Sequence, residues 1–210
     1  MKKQPILKLA YSVLLLFTIL GLNGCSFLKG LSNTMSSLSK LQFKVENVNS
    51  FSAGGINFEG KRSLTDFTIS DGLSLTNSFR NKNFPSEMII NVAVKNPNDG
   101  VATQNRSAVT LTGLASRLLI DGTPTVNADI LSPIEIPASS LSVIVPIRFS
   151  LDMYQFFGNG GYDKLINLAL ALAGVGGSSR VSLDAQPTVT SSLGPITYPS
   201  RITIVDREFR

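Results

Sequence analysis

Hydrophobic and polar residues alternate along most of the chain after residue 40. The clearest case runs from Leu141 to Leu151, where every odd position is apolar and Ser142 and Arg148 are among the residues between. A period of two places successive side chains on opposite faces of a β-strand. Pro146 has no N–H to donate, so this strand is predicted to lie at a sheet edge or to carry a bulge.

The same period predicts a series of shorter strands. Besides 41–45 and 88–95, strands are predicted at 54–59, 64–70, 73–79, 106–112, 114–120, 124–131, 180–189 and 201–207. Turn-forming residues separate them, at Ala53-Gly54-Gly55, Asp71-Gly72, Asn98-Asp99-Gly100, Asp121-Gly122 and Gly176-Gly177. Many short strands separated in this way are typical of an antiparallel β-sandwich. The predicted fold is therefore mainly β, with residues 41–210 as one sandwich domain.

One segment, 163–173, departs from the alternation and is rich in good helix formers. A glycine-rich turn at 158–161 precedes it, and Gly174 and Gly176 follow as helix-terminating residues. A helix of this length rises about 16 Å, against about 30 Å for a bilayer core, so it is too short to span a membrane. It is predicted to pack over an open end or edge of the sandwich. Alternatively it lines or covers an apolar pocket, because it is apolar on nearly every side.

The beginning of the chain has the organisation of a secretory signal. Lys2, Lys3 and Lys8 form a basic start, and an uncharged apolar run extends from Leu9 to Leu22. The run is too short and wrongly flanked to remain as a spanning helix, so it is interpreted as a signal peptide.

The segment Leu22-Asn23-Gly24-Cys25 resembles the end of a bacterial lipoprotein signal, and Cys25 is the only cysteine in the chain. The resemblance implies cleavage between Gly24 and Cys25 and attachment of lipid to Cys25. Residues 1–24 would then be the signal peptide and 25–40 the lipidated tether. The alternatives are a free cysteine after an ordinary signal and an uncleaved anchor.

The residues after the cysteine bear on location. Ser26 is similar to the residue at that position in outer-membrane lipoproteins, which implies an outer-membrane anchor facing the periplasm. Residues 26–40 are serine-rich with apolar positions at helical spacing. They are interpreted as a flexible tether or, alternatively, as a short amphipathic helix lying on the bilayer.

Composition removes several classes of function. Loss of the signal takes away three lysines and no acidic residue, which reduces the formal charge of +5 to about +2. That charge is too low to indicate nucleic-acid binding. The chain contains no histidine, so Ser-His-Asp and Cys-His catalysis are excluded and the commonest metal ligand is missing. The prediction is a protein that is not an enzyme and has no catalytic residues, metal or cofactor.

Three other chemistries have partial support in the sequence. The acidic residues are scattered through predicted turns and strand ends, so a glycan-acting carboxylate pair remains only as the enzyme alternative: Glu87, Asp99, Asp121, Asp129, Glu135, Asp152, Asp163 and Asp184. The turn at 157–161 lacks the Lys-Ser/Thr of a phosphate loop and is interpreted as the start of a helix. The segment 96–100 has oxygen donors suited to calcium but lacks an EF-hand pattern, so it is interpreted as a turn.

An ordered series of motifs resembles the type 2 late embryogenesis abundant proteins, also called the water stress and hypersensitive response domain family. The family signature is similar to the segment that begins at Val92 and ends in Asn96, Pro97 and Asn98. Further similar segments follow in order at 118–122, 136–138, 143–146, 163–173, 180–185 and 193–199. The resemblance is firm over 86–205 and looser over 41–85. It implies an immunoglobulin or fibronectin type III-like sandwich with a helix beside it, no catalytic residues, and a role in desiccation or stress protection.

We therefore expect a non-catalytic, lipid-anchored lipoprotein of the bacterial cell envelope, with a stress-protective or structural role at the membrane surface. Its predicted partners are the membrane, through the anchor, and an apolar ligand or another envelope protein, with no nucleic acid. The alternative function is binding or carriage of an apolar ligand or lipid, in the sandwich or under the helix at 163–173.

Overall fold

The computed structural model describes residues 32, 35–36, 38–97, 108–139, 141–175, 180–191 and 194–205. Within these ranges the protein is mainly β, as predicted, with antiparallel sheets and few helices. The strands are β1 (Gln42–Ala53), β2 (Ile56–Asn57), β3 (Pro85–Lys95), β4 (Val109–Ile120), β5 (Thr123–Ala128), β6 (Ile134–Ile136), β7 (Ser142–Asp152), β8 (Val181–Ser191), β9 (Gly194–Thr197) and β10 (Ile202–Ile204). The helices bounded within the described residues are α1 (Ile69–Arg80), α2 (Met153–Phe157) and α3 (Tyr162–Leu172), with 3-10 turns at Leu64–Asp66 and Gly158–Gly160.

The strands form two sheets. The first has the order β2-β1-β3-β7 and the second the order β10-β8-β4-β5, with β6 added to β4 and β9 added to β8. In the second sheet, β5 and β6 follow one another along the same edge of β4, because β8 occupies its other edge. In the first sheet, Gln42, Lys95 and Ser142 lie at one end of their strands, and Ala53, Ser86 and Leu151 lie at the other.

Alternation along the strands places the core. In β7 the apolar odd positions from Val145 to Leu151 are buried and the even positions between them are exposed. Both sheets and the helices contribute to one hydrophobic cluster, which includes Phe149 from the first sheet, Leu118 from the second and Leu165 from α3. Burial of this apolar surface is the main term that favours folding.

Pro146 lies in an edge strand, as predicted. β7 is at the end of the first sheet, and Pro146 is opposite Asn91 of β3. A residue without an N–H is tolerated there because an edge strand has a ladder on one side only.

The segment 64–79 was predicted as two strands, and that prediction is wrong. It contains the 3-10 turn at Leu64–Asp66 and helix α1. Two capping boxes explain the difference: Ser63 pairs with Asp66, and Thr68 pairs with Asp71, each acid accepting from the backbone N–H at the start of its turn. These pairs satisfy the donors that a helix leaves unpaired at its beginning.

Two further expectations need correction. Asp71-Gly72 was predicted as a turn but lies inside α1. Residues 106–112 and 114–120 were predicted as separate strands, whereas one strand, β4, runs from Val109 to Ile120. Its register against β8 shifts between Leu111 and Gly113, so the glycine marks an irregularity within a strand and not a break between strands.

The helix predicted at 163–173 is present as α3, one residue earlier at each end. Gly161 precedes it with φ 86° and ψ 170°, a backbone conformation that favours glycine, and Gly174 follows it with φ 73°. The glycines on either side of the apolar segment therefore mark the bounds of the helix.

The packed core also extends before residue 41, where the domain was predicted to begin. Residues 38–39 are helical, and Leu38 is 2 % exposed and belongs to the hydrophobic cluster. Of the helices in the described ranges, none has the length and apolar character needed to cross a bilayer.

Candidate functional site

The predicted cleavage and lipidation site lies outside the part of the chain that the structure describes. Gly24 and Cys25, the predicted cleavage and lipidation residues, lie outside it, as does Asn98 of the segment that resembles a family signature. Asn96 and Pro97 are the predicted site residues that the structure places.

Asn96 is fully buried at the end of β3. Its side-chain Nδ2 donates to the carbonyl of Ile136 at 3.1 Å, and its own carbonyl accepts from the N–H of Ser139 at 3.1 Å. These bonds tie the end of β3 to the connection between β6 and β7. Asn96 therefore has a structural role, and Pro97 beside it is exposed.

A separate feature, a groove of about 450 Å³, lies beside α3. Its walls come from α3, the aromatic end of α2, the glycine turn that joins these helices, and the turn between β4 and β5. The residues that line it are Asp121, Thr123, Phe156, Phe157, Asn159, Gly160, Lys164, Asn167, Leu168 and Ala171. The volume is within the range of small-molecule sites. We call this feature the α3 groove.

Helix α3 has one face in the core and an adjacent face that lines the α3 groove. Leu165, Ala169 and Leu172 are buried in the core, spaced four and three residues apart. The next stripe around the helix, which includes Lys164 and Leu168, lines the α3 groove. Residues spaced three or four apart share a face of a helix, so one face of α3 packs on the sheets while its neighbour meets solvent.

The aromatic wall is held by the end of β7. The Asp152 carboxylate caps α2 by accepting from the N–H of Tyr154 at 2.9 Å, and it also accepts from the N–H of Phe84 at 2.8 Å. Phe157 is half-buried against the core, whereas Phe156 is 36 % exposed. An exposed phenylalanine at the edge of a groove provides apolar surface for a ligand.

The opposite wall is the tight turn between β4 and β5. Asp121 and Gly122 have φ of 49° and 78°, as in the type I′ turns that join antiparallel strands. The Asp121 carboxylate accepts from the N–H of Arg180 at 2.7 Å, and the Asp121 N–H donates to the Arg180 carbonyl at 2.9 Å. These bonds fix the turn to the start of β8, so this wall is preformed.

Among the described residues that line the α3 groove, Lys164 is the one that is basic. Its aliphatic stem lies over Gly160: a Cβ at position 160 would be 2.7 Å from Lys164 Cδ. No described residue forms an ion pair or hydrogen bond with its ammonium group. The absence of a side chain at Gly160 therefore leaves room for the Lys164 stem beside the groove. The Lys164 ammonium group has no protein partner among the described residues.

Helix α1 supports this arrangement from the side. Phe79 packs edge-on against Tyr154 and Tyr162, with ring centroids 5.3 and 5.4 Å away. The hydroxyl groups of Thr76 and Tyr162 are 3.2 Å apart, within hydrogen-bonding distance. The helix that sequence patterning missed therefore fixes the beginning of α3.

Five of the candidate carboxylates have side-chain partners among the described residues: Glu87, Asp121, Asp129, Asp152 and Asp184. Asp129 accepts from the N–H groups of Leu114 and Ile130, and Glu87 is 3.8 Å from Arg148. Asp184 is paired with Arg117 and Arg201, which joins β4, β8 and the start of β10. In the ranges that the structure covers, there is no cluster of three or more acidic, histidine or cysteine side chains arranged to hold a metal.

Comparison with known proteins identifies no family for this chain. No protein-family model and no curated protein matches it. A crystal structure of a protein from Archaeoglobus fulgidus is similar at 12 % sequence identity, over 59 % of this chain and 87 % of that one, with a TM-score of 0.29. A TM-score this low indicates neither a shared fold nor a shared function.

The sequence predicted a pocket beside α3 as one alternative, but it did not indicate which residues line the α3 groove. The sequence does contain one signal for the stripe through Lys164 and Leu168. The two residues are four apart and so share a face of the predicted helix, beside the face that carries Leu165 and Ala169. The wall at Asp121 was not detectable, because it is more than forty positions away in the chain and is brought near by the pairing of β4 and β8.

Proposed function

We propose that this chain is a non-catalytic lipoprotein, attached to the bacterial envelope through a lipid on Cys25. One observation carries the proposal: the only cysteine in the chain follows Gly24 at the end of an uncharged apolar run. Lipidation is a sufficient anchor, since each buried methylene contributes about 0.8 kcal/mol and more than one acyl chain makes attachment stable. Ser26 supports the outer membrane, facing the periplasm, as the location.

We further propose that the two sheets form a sandwich of immunoglobulin or fibronectin type III character. The support is that both sheets are antiparallel and contribute to one hydrophobic cluster. The order of motifs from Val92 onward supports membership in the type 2 late embryogenesis abundant family. On that basis the domain has a stress-protective or structural role at the membrane surface.

The mass of the mature protein tests the anchor. The protein purified from its host membranes is expected to begin at Cys25 and to carry acyl groups on that residue, and labelled palmitate is expected to enter the wild-type chain and a Ser26→Ala control. A Cys25→Ala variant is expected to take up no label. An unmodified cysteine in the wild-type protein, or retention of the whole signal, would overturn the proposal.

A specific observation favours a second candidate function, which is binding or carriage of an apolar ligand or lipid. The walls of the α3 groove include an exposed phenylalanine, a half-buried phenylalanine and an apolar stripe of α3. Hydrogen bonds fix the α2 wall, through Asp152, and the opposite wall, through Asp121. Exposed apolar surface in a preformed concavity is what ligand sites offer.

Native mass spectrometry of the mildly purified protein tests this function. The wild-type protein is expected to retain a bound small molecule in addition to its anchor, and Ala171→Trp, which fills the α3 groove, is expected to lose it. Thr203→Trp on the exposed side of β10 is the control and is expected to retain the ligand. A wild-type protein with no added mass counts against carriage.

A further inference from the structure

We propose that the α3 groove binds a single-chain amphiphile with an anionic head group, such as a fatty-acid carboxylate, with the head at Lys164. This inference rests on the ligand-binding function proposed above and names the class of ligand. The position of one cation relative to the apolar surface of the groove supports it.

First, the cation of the groove is the ammonium group of Lys164. The Lys164 stem lies over Gly160, and its ammonium group has no ion-pair or hydrogen-bond partner among the described residues. Asp121 is the acidic residue that lines the same groove, and its carboxylate already accepts from the N–H of Arg180 at 2.7 Å. Lys164 is therefore the cation that the described lining of the groove offers to an anionic ligand.

The second step is the direction of the apolar surface. Leu168 and Ala171 follow Lys164 by four and seven residues, on the same side of α3. Seven residues of helix rise about 10 Å, so an apolar strip extends away from the cation along the helix. Phe156 and Phe157 add aromatic surface from α2.

The third step is the chemistry of the ligand that matches this layout. A molecule with one anionic end and one linear apolar tail satisfies the lysine and covers the strip at the same time. A neutral apolar molecule would gain nothing from the ammonium group of the exposed Lys164, and a multiply charged molecule would leave the strip uncovered. Lys164 is exposed, and ion pairs at exposed lysines are weak, so the anionic head group is expected to raise binding by about two- to fivefold.

Photo-crosslinking tests the assignment on the full lipoprotein in lipid nanodiscs. The probe is dodecanoate with a diazirine in its tail, and the matched neutral probe is the corresponding dodecanol. Peptide mapping is expected to place the dodecanoate label within 156–171 or at the opposite wall, 121–123. Lys164→Met is expected to reduce that label about two- to fivefold for the acid, with little change for the alcohol.

Two control variants distinguish charge from damage to the fold. Lys164→Arg keeps the cation and is expected to retain most of the labelling. Lys95→Met removes a lysine at the end of β3 distant from the α3 groove and is expected to label as the wild type does.

The other outcomes separate this inference from the function on which it rests. Equal groove labelling by acid and alcohol, unaffected by Lys164→Met, would overturn the anionic class and leave an apolar ligand in place. Labelling by both probes only at residues outside 121–123 and 156–171, which contain the groove lining, would overturn both. Neither outcome bears on the lipid at Cys25, which the mass of the mature protein decides.

Discussion

The two faces of helix α3 are made of similar residues but have different surroundings. One face, with Leu165 and Ala169, is fully buried against the sheets. The other, with Leu168 and Ala171, lines the α3 groove. The contrast shows that apolar character does not distinguish a core position from a ligand-contacting one, because the distinction depends on which elements pack against each face.

Truncation of the core face is expected to have the largest effect. Leu165→Ala removes a fully buried side chain and should lower the free energy of unfolding by about 2–5 kcal/mol, since the cavity adds to the lost transfer free energy. Urea denaturation followed by circular dichroism measures the change. A loss below about 1 kcal/mol would mean that this face is not part of the core.

The start of the helix should be the next most sensitive point. Gly161 has φ 86° and ψ 170°, a conformation that is essentially restricted to glycine, so Gly161→Ala is expected to cost about 1–3 kcal/mol. Gly72→Ala is the matched control, because Gly72 lies within α1 with open space around its Cα. There alanine should be neutral or stabilising by up to about 1 kcal/mol. Equal effects at the two positions would contradict the assigned backbone conformation.

Truncation on the groove face should affect stability less than binding. Leu168 is half-buried, so Leu168→Ala is expected to lower the free energy of unfolding by about 1 kcal/mol while it weakens crosslinking of dodecanoate several-fold. The comparison with Leu165→Ala, by the same denaturation assay, sharpens the contrast between the faces. A stability loss as large as that of Leu165→Ala would show that both faces serve the core.

The smallest expected effect is a pH dependence at α1, which supports the beginning of α3. The Thr68 N–H and the Lys61 ammonium lower the pKa of Asp71 below its ordinary value. Because the pKa is lower in the folded than in the unfolded chain, Asp71 contributes stability above about pH 4, and that contribution is lost as pH falls through the folded-state pKa.

Asp71→Asn is therefore expected to reduce the drop in urea midpoint between neutral pH and about pH 3. Thr68→Ala is the control: it removes the hydroxyl cap but keeps the backbone N–H that has the largest influence on Asp71. That variant should be less stable at both pH values with a drop close to that of the wild type. An unchanged drop in Asp71→Asn would show that this carboxylate does not couple folding to pH.

Part of the fold was predictable because local patterns and the final structure agree. Alternation identified β3 and β7, Pro146 indicated an edge strand, and glycines marked the bounds of α3 within one residue. Helix α1 was missed because Leu73 and Leu75 suggest alternation, although the capping pair of Thr68 and Asp71 indicates a helix start. Here a local capping signal outweighs a weak hydrophobic pattern.

The amino-acid sequence alone was enough to indicate a β-rich chain with one apolar helix, because strand and helix periods are local properties of neighbouring residues. It also carries the prediction of a lipid anchor at Cys25. Only the tertiary structure decided which face of that helix is buried and which lines the α3 groove. The physical reason is that the wall at Asp121 and the cation at Lys164 become neighbours through strand pairing between distant segments, which no local pattern encodes.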